Sequence, residues 1–180
     1  MRILGPDDVI SFWHEAGPKR WFAKDEGFDA EIKERFGALY EEAASGEHDH
    51  WAGTPDGALA LLLVLDQFSR NIHRDDARAF AADGKALSLA KDAIEKGFDK
   101  SLSTEDRRWV YMPFMHSEAL ADQEDCVRLF EELGFEENYK YAVLHRDVIA
   151  KFGRFPHRNA LLGRETTPDE AAYLEEHGGF

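Results

Sequence analysis

Apolar positions recur at intervals of three and four along most of the chain, the spacing of one buried face on an α-helix. Val9, Ile10 and Trp13, with Phe12 beside them, make such a stripe up to about Ala16, where Gly17-Pro18 ends it. Pro6 suits a first helical position, and Asp7 and Asp8 fall in the first turn, where the helix dipole favours acids. Ile32, Phe36, Leu39, Tyr40 and Ala43 predict a second helix over 29–44, stopped by Ser45-Gly46. A polar loop over 47–53 follows, with Trp51 as its anchor. Thr54-Pro55-Asp56 then supplies a cap, a first-turn proline and an acid. The segment behind it, from Leu59 to Leu65, is apolar nearly all round, which predicts a helix at the centre of a bundle.

Downstream, a helix is expected over 76–96, with Phe80, Leu87, Leu89, Ala90 and Ile94 inward and Gly97 as its stop. Ser103 and Asp106 resemble a capping box. They open a helix towards Gln123 that Pro113 must kink or split, because proline removes a backbone donor. Helices over 124–133 and 136–152 end at Gly134 and Gly153, and Thr167-Pro168-Asp169-Glu170 caps one reaching about His177. The expectation is seven to nine helices in one all-helical domain spanning residues 1–180.

Composition agrees with an all-α chain. There are 23 Ala and 17 Leu against six Val, six Ile and four Thr, and the latter set is the one strands prefer. The net charge of −14 argues against nucleic-acid or anionic-membrane partners, which need a basic surface. The longest apolar run, 58–65, is eight residues, against roughly 20 for a membrane span. One cysteine, Cys126, excludes an internal disulfide and a multi-cysteine zinc site. With no apolar leader in the first ten residues, a cytoplasmic location is expected.

The distribution of charge says more than its sum. Between Val143 and Arg164 five cations (Arg146, Lys151, Arg154, Arg158 and Arg164) stand against Asp147 alone. His145, His157 and Asn159 add polar groups, and Pro156 suits the first turn of a short helix. Such a turn beside three basic side chains would make an anion site; the alternative is ion pairing within the protein. A second cluster holds Asp66, Gln67, Arg70, Asn71 and Arg74. Asp66 and Arg70 can pair four residues apart, and a persistent helix would align Arg70, Arg74 and Arg78 in one column. Beside Pro113, His116 and Glu118 are candidates for acid–base work, with a buried, hydrogen-bonded histidine as the plainer reading. Zinc-protease, phosphate-loop and nucleophile-elbow motifs are absent. His48-Asp49-His50 lacks an obvious third metal ligand, so neither a metal nor a cofactor is expected.

Three stretches, LDQFSRNIHRDDARAFAAD from Leu65, MPFMHSEALADQ from Met112 and HRDVIAKFGRFPHRNALLGR from His145, resemble a bacterial family known only as domain of unknown function 924. The resemblance covers nearly the whole chain and implies a tetratricopeptide-like helical array with no established activity. Its pattern matches Asp66, Gln67, Arg70, Asn71, Arg74, His116, Glu118, His145, Arg154, His157, Arg158 and Asn159, while Ser69 and His73 depart from it. Two functional readings follow. In one, Arg70, Asn71, Arg74, Arg154, His157, Arg158 and Asn159 bind a small anionic ligand in an interhelical pocket, with His116, His145, Glu118 and Asp66 available for catalysis. In the other, the protein is a helical scaffold for a peptide or partner protein, and the motif residues determine the fold. A homodimer is compatible with both.

Overall fold

The computed structural model describes residues 3–180. Its α-helices are α1 (Pro6–Ala16), α2 (Pro18–Trp21), α3 (Glu26–Ser45), α4 (Pro55–Leu62), α5 (Ser69–Ile72), α6 (Asp83–Glu95), α7 (Phe98–Ser101), α8 (Thr104–Met115), α9 (Leu120–Leu133), α10 (Glu136–Phe152), α11 (Asn159–Leu162) and α12 (Pro168–His177). No strand occurs among the described residues, so the fold is all-α. Nor is any helix among them long and apolar enough to cross a membrane.

Two compact units share these elements. One runs through Arg74 and resumes over Arg78–Pro113; the other comprises Asp75–Ala77 and Phe114–Phe180. In the first, the apolar stripes of α1 and α3 close on the helix that starts at Pro55. Phe12, Phe36 and Phe68 meet at ring separations of 4.9–5.9 Å. Trp13 lies edge-on to Trp109 at 5.2 Å. Each such buried ring contributes on the order of 1.5–3 kcal/mol. As expected, Leu59 to Leu65 is fully inside. Phe22, which follows α2, is 61% exposed.

This central helix changes gauge. Between α4 and α5, Leu63–Phe68 is π-helical, so its turns close over one additional residue. The helix then stops at Ile72, and Asp75 takes a left-handed backbone with φ 59°. The expected helix over 76–96 therefore begins only at Asp83, after a 3₁₀ turn at Ala77–Phe80. No column of Arg70, Arg74 and Arg78 forms, because the helix that would align them has ended. Residues 49–53, expected as loop, form a 3₁₀ turn seated on α4. Gly57 makes that seat: a Cβ there would lie 2.0 Å from the Trp51 carbonyl oxygen.

In the second unit, α9 and α10 form a helical hairpin turned at Gly134, whose φ is 85°. The expected helix towards Gln123 is split after Met115, just beyond Pro113, which itself lies inside α8, and α9 starts at Leu120 rather than Glu124. The Gln123 amide explains it. Its Nε2 donates to the carbonyls of Phe114, Met115 and Ser117 at 3.3, 2.7 and 2.6 Å. It satisfies the helix end that lacks continuing backbone donors. Val148, Ile149 and Phe155 form the core against which Phe152 and Tyr173 pack.

Candidate functional site

The sequence-predicted residues fall into two groups, one in each unit. Asp66, Arg70, Asn71 and Arg74 belong to the first. Asp66, on the π-helical stretch, is fully buried and accepts from Gln67 Nε2 at 2.9 Å. Arg70 lies 3.8 Å from Asp66 Oδ1, the expected i,i+4 relation, but its fork closes on Asp83. There Nη1 to Oδ1 is 2.7 Å and Nη2 to Oδ2 is 2.9 Å. Arg74 holds Asp29 with Nε to Oδ2 at 2.5 Å and Nη2 to Oδ1 at 2.8 Å, and Asn71 Nδ2 adds a third bond to Oδ1 at 2.8 Å. Burial alone would raise the Asp29 carboxyl pKa; the Arg74 and Asn71 hydrogen bonds outweigh it and hold the group below its ordinary range. His73 packs edge-on against Tyr40 at 5.4 Å.

His116, Glu118, His145, Arg154, His157, Arg158 and Asn159 belong to the second unit, where three separated stretches meet around buried Phe155. The Phe155 N–H donates to Glu118 Oε2 at 2.6 Å. Pro156–Arg158 is a 3₁₀ turn of three residues, and the anion held at its threshold is the chain's own carboxylate. Arg164 Nη1 also grips both Glu118 oxygens, at 2.8 and 3.1 Å. Its Nη2 donates to the Phe155 carbonyl at 3.1 Å and its Nε to Asn159 Oδ1 at 3.0 Å. Burial would raise the Glu118 pKa, but Arg164 and the Phe155 N–H bring it below the usual carboxylate range.

Arg154 meets Glu170 through two parallel bonds, Nε to Oε2 at 2.9 Å and Nη2 to Oε1 at 2.7 Å. With Arg154 as the chief cause, the Glu170 pKa falls to about 2. Glu170 also closes the expected capping box of α12, receiving the Thr167 N–H at 3.0 Å. Arg158 Nη2 donates to the His116 carbonyl at 2.9 Å, and its guanidinium lies 4.7 Å from the centre of the Phe155 ring. His145 Nδ1 lies 2.7 Å from the Tyr141 carbonyl, which fixes the proton on Nδ1. Burial first, then the nearby charge of His116, His157 and Arg158, takes the His145 pKa down to about 3.

Sequence reasoning assigned no site role to four participants, Asp29, Asp83, Arg164 and Glu170, and Arg164 was visible only as one cation of the 143–164 cluster. Glu170 was visible only as a helix cap. Asp29 looked like an ordinary first-turn acid and Asp83 like one acid inside the expected helix over 76–96, and their partners are 45 and 13 residues away. At the His48-Asp49-His50 segment, His48 Nε2 is bonded to Glu42 Oε2 at 2.8 Å. Among the described residues, no three His, Cys, Asp or Glu come together in an arrangement that could hold a metal ion.

A family model described as bacterial protein of unknown function (DUF924) matches residues 9–178. Among solved structures, the protein of unknown function ATU0120 from Agrobacterium tumefaciens is similar, with a TM-score of 0.92 and 43% sequence identity. The match covers 95% of this chain and 97% of that one. Among curated proteins there is no match.

Proposed function

This chain belongs to the DUF924 family of bacterial proteins of unknown function, and we propose that it works as a helical interaction scaffold for a peptide or partner protein. The observation that carries this reading is the engagement of three of the four expected anion-site arginines, Arg70, Arg74 and Arg154, and of Arg164 beside them, while Arg158 is bonded to the His116 carbonyl. Arg70, Arg74, Arg154 and Arg164 each close on a carboxylate of the same unit: Asp83, Asp29, Glu170 and Glu118. A guanidinium already holding a carboxylate through two oxygens has little left to offer an incoming anion. These residues are the frame of the scaffold.

The proposed catalytic groups support the same reading. An imidazole with a pKa near 3 is a weak base at neutral pH. Glu118 is anionic, and both its oxygens are occupied by Arg164 and Phe155. Six of the eight large apolar side chains left exposed among the described residues lie in the second unit, with Tyr141 and Leu144 neighbours on α10. The α9–α10 hairpin is the kind of unit from which a tetratricopeptide-like array is built. The setting proposed is the cytoplasm, where a single buried thiol such as Cys126 persists.

A thermal-shift screen against phosphate, carboxylate and nucleotide metabolites, with Arg154→Ala beside wild type, tests the reading. A ligand that binds the folded state raises the melting temperature by mass action. The scaffold reading expects no shift from any anion class and an earlier melt for the variant. A shift from one class that disappears in Arg154→Ala would overturn it in favour of the anion pocket.

A further inference from the structure

The second unit contains an aromatic seat beside the motif network. Beyond α12 the chain turns at Gly178, whose φ is 71°, and runs back over the Phe155 corner. Gly179 lies against His157 so closely that a Cβ at this position would sit 2.6 Å from His157 Cβ and 3.0 Å from its Cγ. Phe180 then stacks on His145, with ring centres 3.7 Å apart and planes 17° from parallel. The edges of Phe155 and His157 close the seat, at 6.0 and 5.8 Å and at 84° and 81° to the Phe180 ring. The perpendicular edges on two walls are an arrangement that aromatic rings prefer, and the parallel wall brings the two faces closer than an offset stack would. Yet 49% of Phe180 remains exposed, so the ring is held on one side only.

We propose that His145, Phe155 and His157 form a recognition site for an aromatic side chain carried directly behind a glycine on a peptide, which Gly178–Gly179–Phe180 of this chain occupies in competition. This rests on the scaffold reading and names the chemistry of its partner. Two features on the molecule define that chemistry. The stacked geometry selects a flat ring. The contact at His157 excludes a side chain on the residue before it. Tyr141, whose carbonyl faces His145 Nδ1, is itself exposed and lies one turn before His145 on α10. The resident segment is the template for the ligand, and its half-exposed ring is the reason that it can be displaced.

The test compares wild type, Phe180→Ala and Gly179→Ala by NMR of the His145 ring. Both variants are expected to lose the ring-current shift that Phe180 imposes, with the fold retained. Acetylated, amidated Gly-Gly-Phe is then titrated into each protein. The seat predicts saturable binding to Phe180→Ala that returns the His145 resonances towards their wild-type positions. Wild type should need at least tenfold more peptide, Gly-Ala-Phe should bind at least tenfold more weakly, and Gly-Gly-Ala should not bind. Unchanged His145 resonances in Phe180→Ala, equal peptide affinity for wild type and variant, or no binding at millimolar peptide would each overturn the proposal. None of these results touches the anion screen, so the scaffold reading stands or falls separately.

Discussion

Glu118 and Arg164 are 46 residues apart in sequence, yet both carboxylate oxygens lie within 3.1 Å of one guanidinium nitrogen. The pair ties the segment between α8 and α9 to the chain beyond α11, with the Phe155 N–H and carbonyl bound on either side of it. Glu118→Gln should remove the counter-charge of a partly buried arginine and weaken the bond from the Phe155 N–H. Its expected cost is about 1–3 kcal/mol, and each kcal/mol lowers the melting temperature by roughly 2–4 °C in a protein of this size. Arg164→Lys should cost a similar amount, because an ammonium cannot span the same four acceptors. Thermal denaturation of both variants checks this, and midpoints equal to wild type would show that the tie contributes nothing.

Acid should loosen the Glu170 corner. The Glu170 pKa lies near 2 in the fold, against an ordinary 4.5, so its ionised form is favoured by folding. The contribution is complete above pH 4.5 and declines as the pH falls towards 2. Glu170→Gln should therefore be less stable than wild type at pH 7, with the gap narrowing at pH 3. Urea denaturation at the two pH values measures it; a gap that widens on acidification would contradict the assignment.

His145 acts on the same side of the pH scale, but protonation charges this group where it neutralises Glu170. Its pKa of about 3 lies below the ordinary 6.5, so the fold favours the neutral ring. That contribution is whole above pH 6.5 and is lost, at about 1.4 kcal/mol per pH unit, as the pH falls towards 3. The ring resonances of His145 should stay unmoved between pH 8 and 5. A titration midpoint near 6.5 would mean that the imidazole is in water.

Gly57→Ala should be among the costliest small substitutions in the first unit. The added methyl would meet the Trp51 carbonyl oxygen at 2.0 Å and its carbon at 2.8 Å, and backbone atoms cannot swing aside as a side chain can. A loss of about 2–4 kcal/mol is expected, as for other overpacked sites. A variant that melts with wild type would show that the 3₁₀ turn at Asp49–Gly53 moves freely off α4.

The Cys126 thiol should be inert in the native protein. It is buried, and burial pushes its pKa well above the ordinary thiol value. Reaction with Ellman's reagent should follow unfolding; labelling at the rate of a free thiol would place Cys126 at the surface.

Much of the helical layout was legible because its signals are local. The caps at Thr54 and Thr167, the glycine stops and the stripe from Ile32 to Ala43 each depend on residues within a few turns. What escaped was decided by backbone geometry or by distance. The π-helical stretch leaves no mark in the sequence, because the apolar run before it and the polar Asp66-Gln67 within it fit an ordinary α-helix equally well. The break after Ile72 rests on a left-handed Asp75, which side-chain periodicity does not report. In the candidate site, the cationic residues could be picked out by their density, but their partners could not. Arg74 finds Asp29 across 45 residues, and nothing local distinguishes that aspartate from its neighbours.

The π-helical turn at Leu63–Phe68 gives the central helix a measure of slack. Each residue of an α-helix advances the side-chain direction by about 100°. A turn that takes in one additional residue advances it less per residue, so the stretch carries the chain through about the angle that one residue fewer would cover in an α-helix. Deleting one apolar residue within that stretch would let the turn relax to ordinary α-helix while everything downstream to Ile72 kept nearly its present bearing. Arg70 and Asn71 would still face Asp83 and Asp29. A deletion elsewhere in the central helix would instead swing its remainder by about 100°.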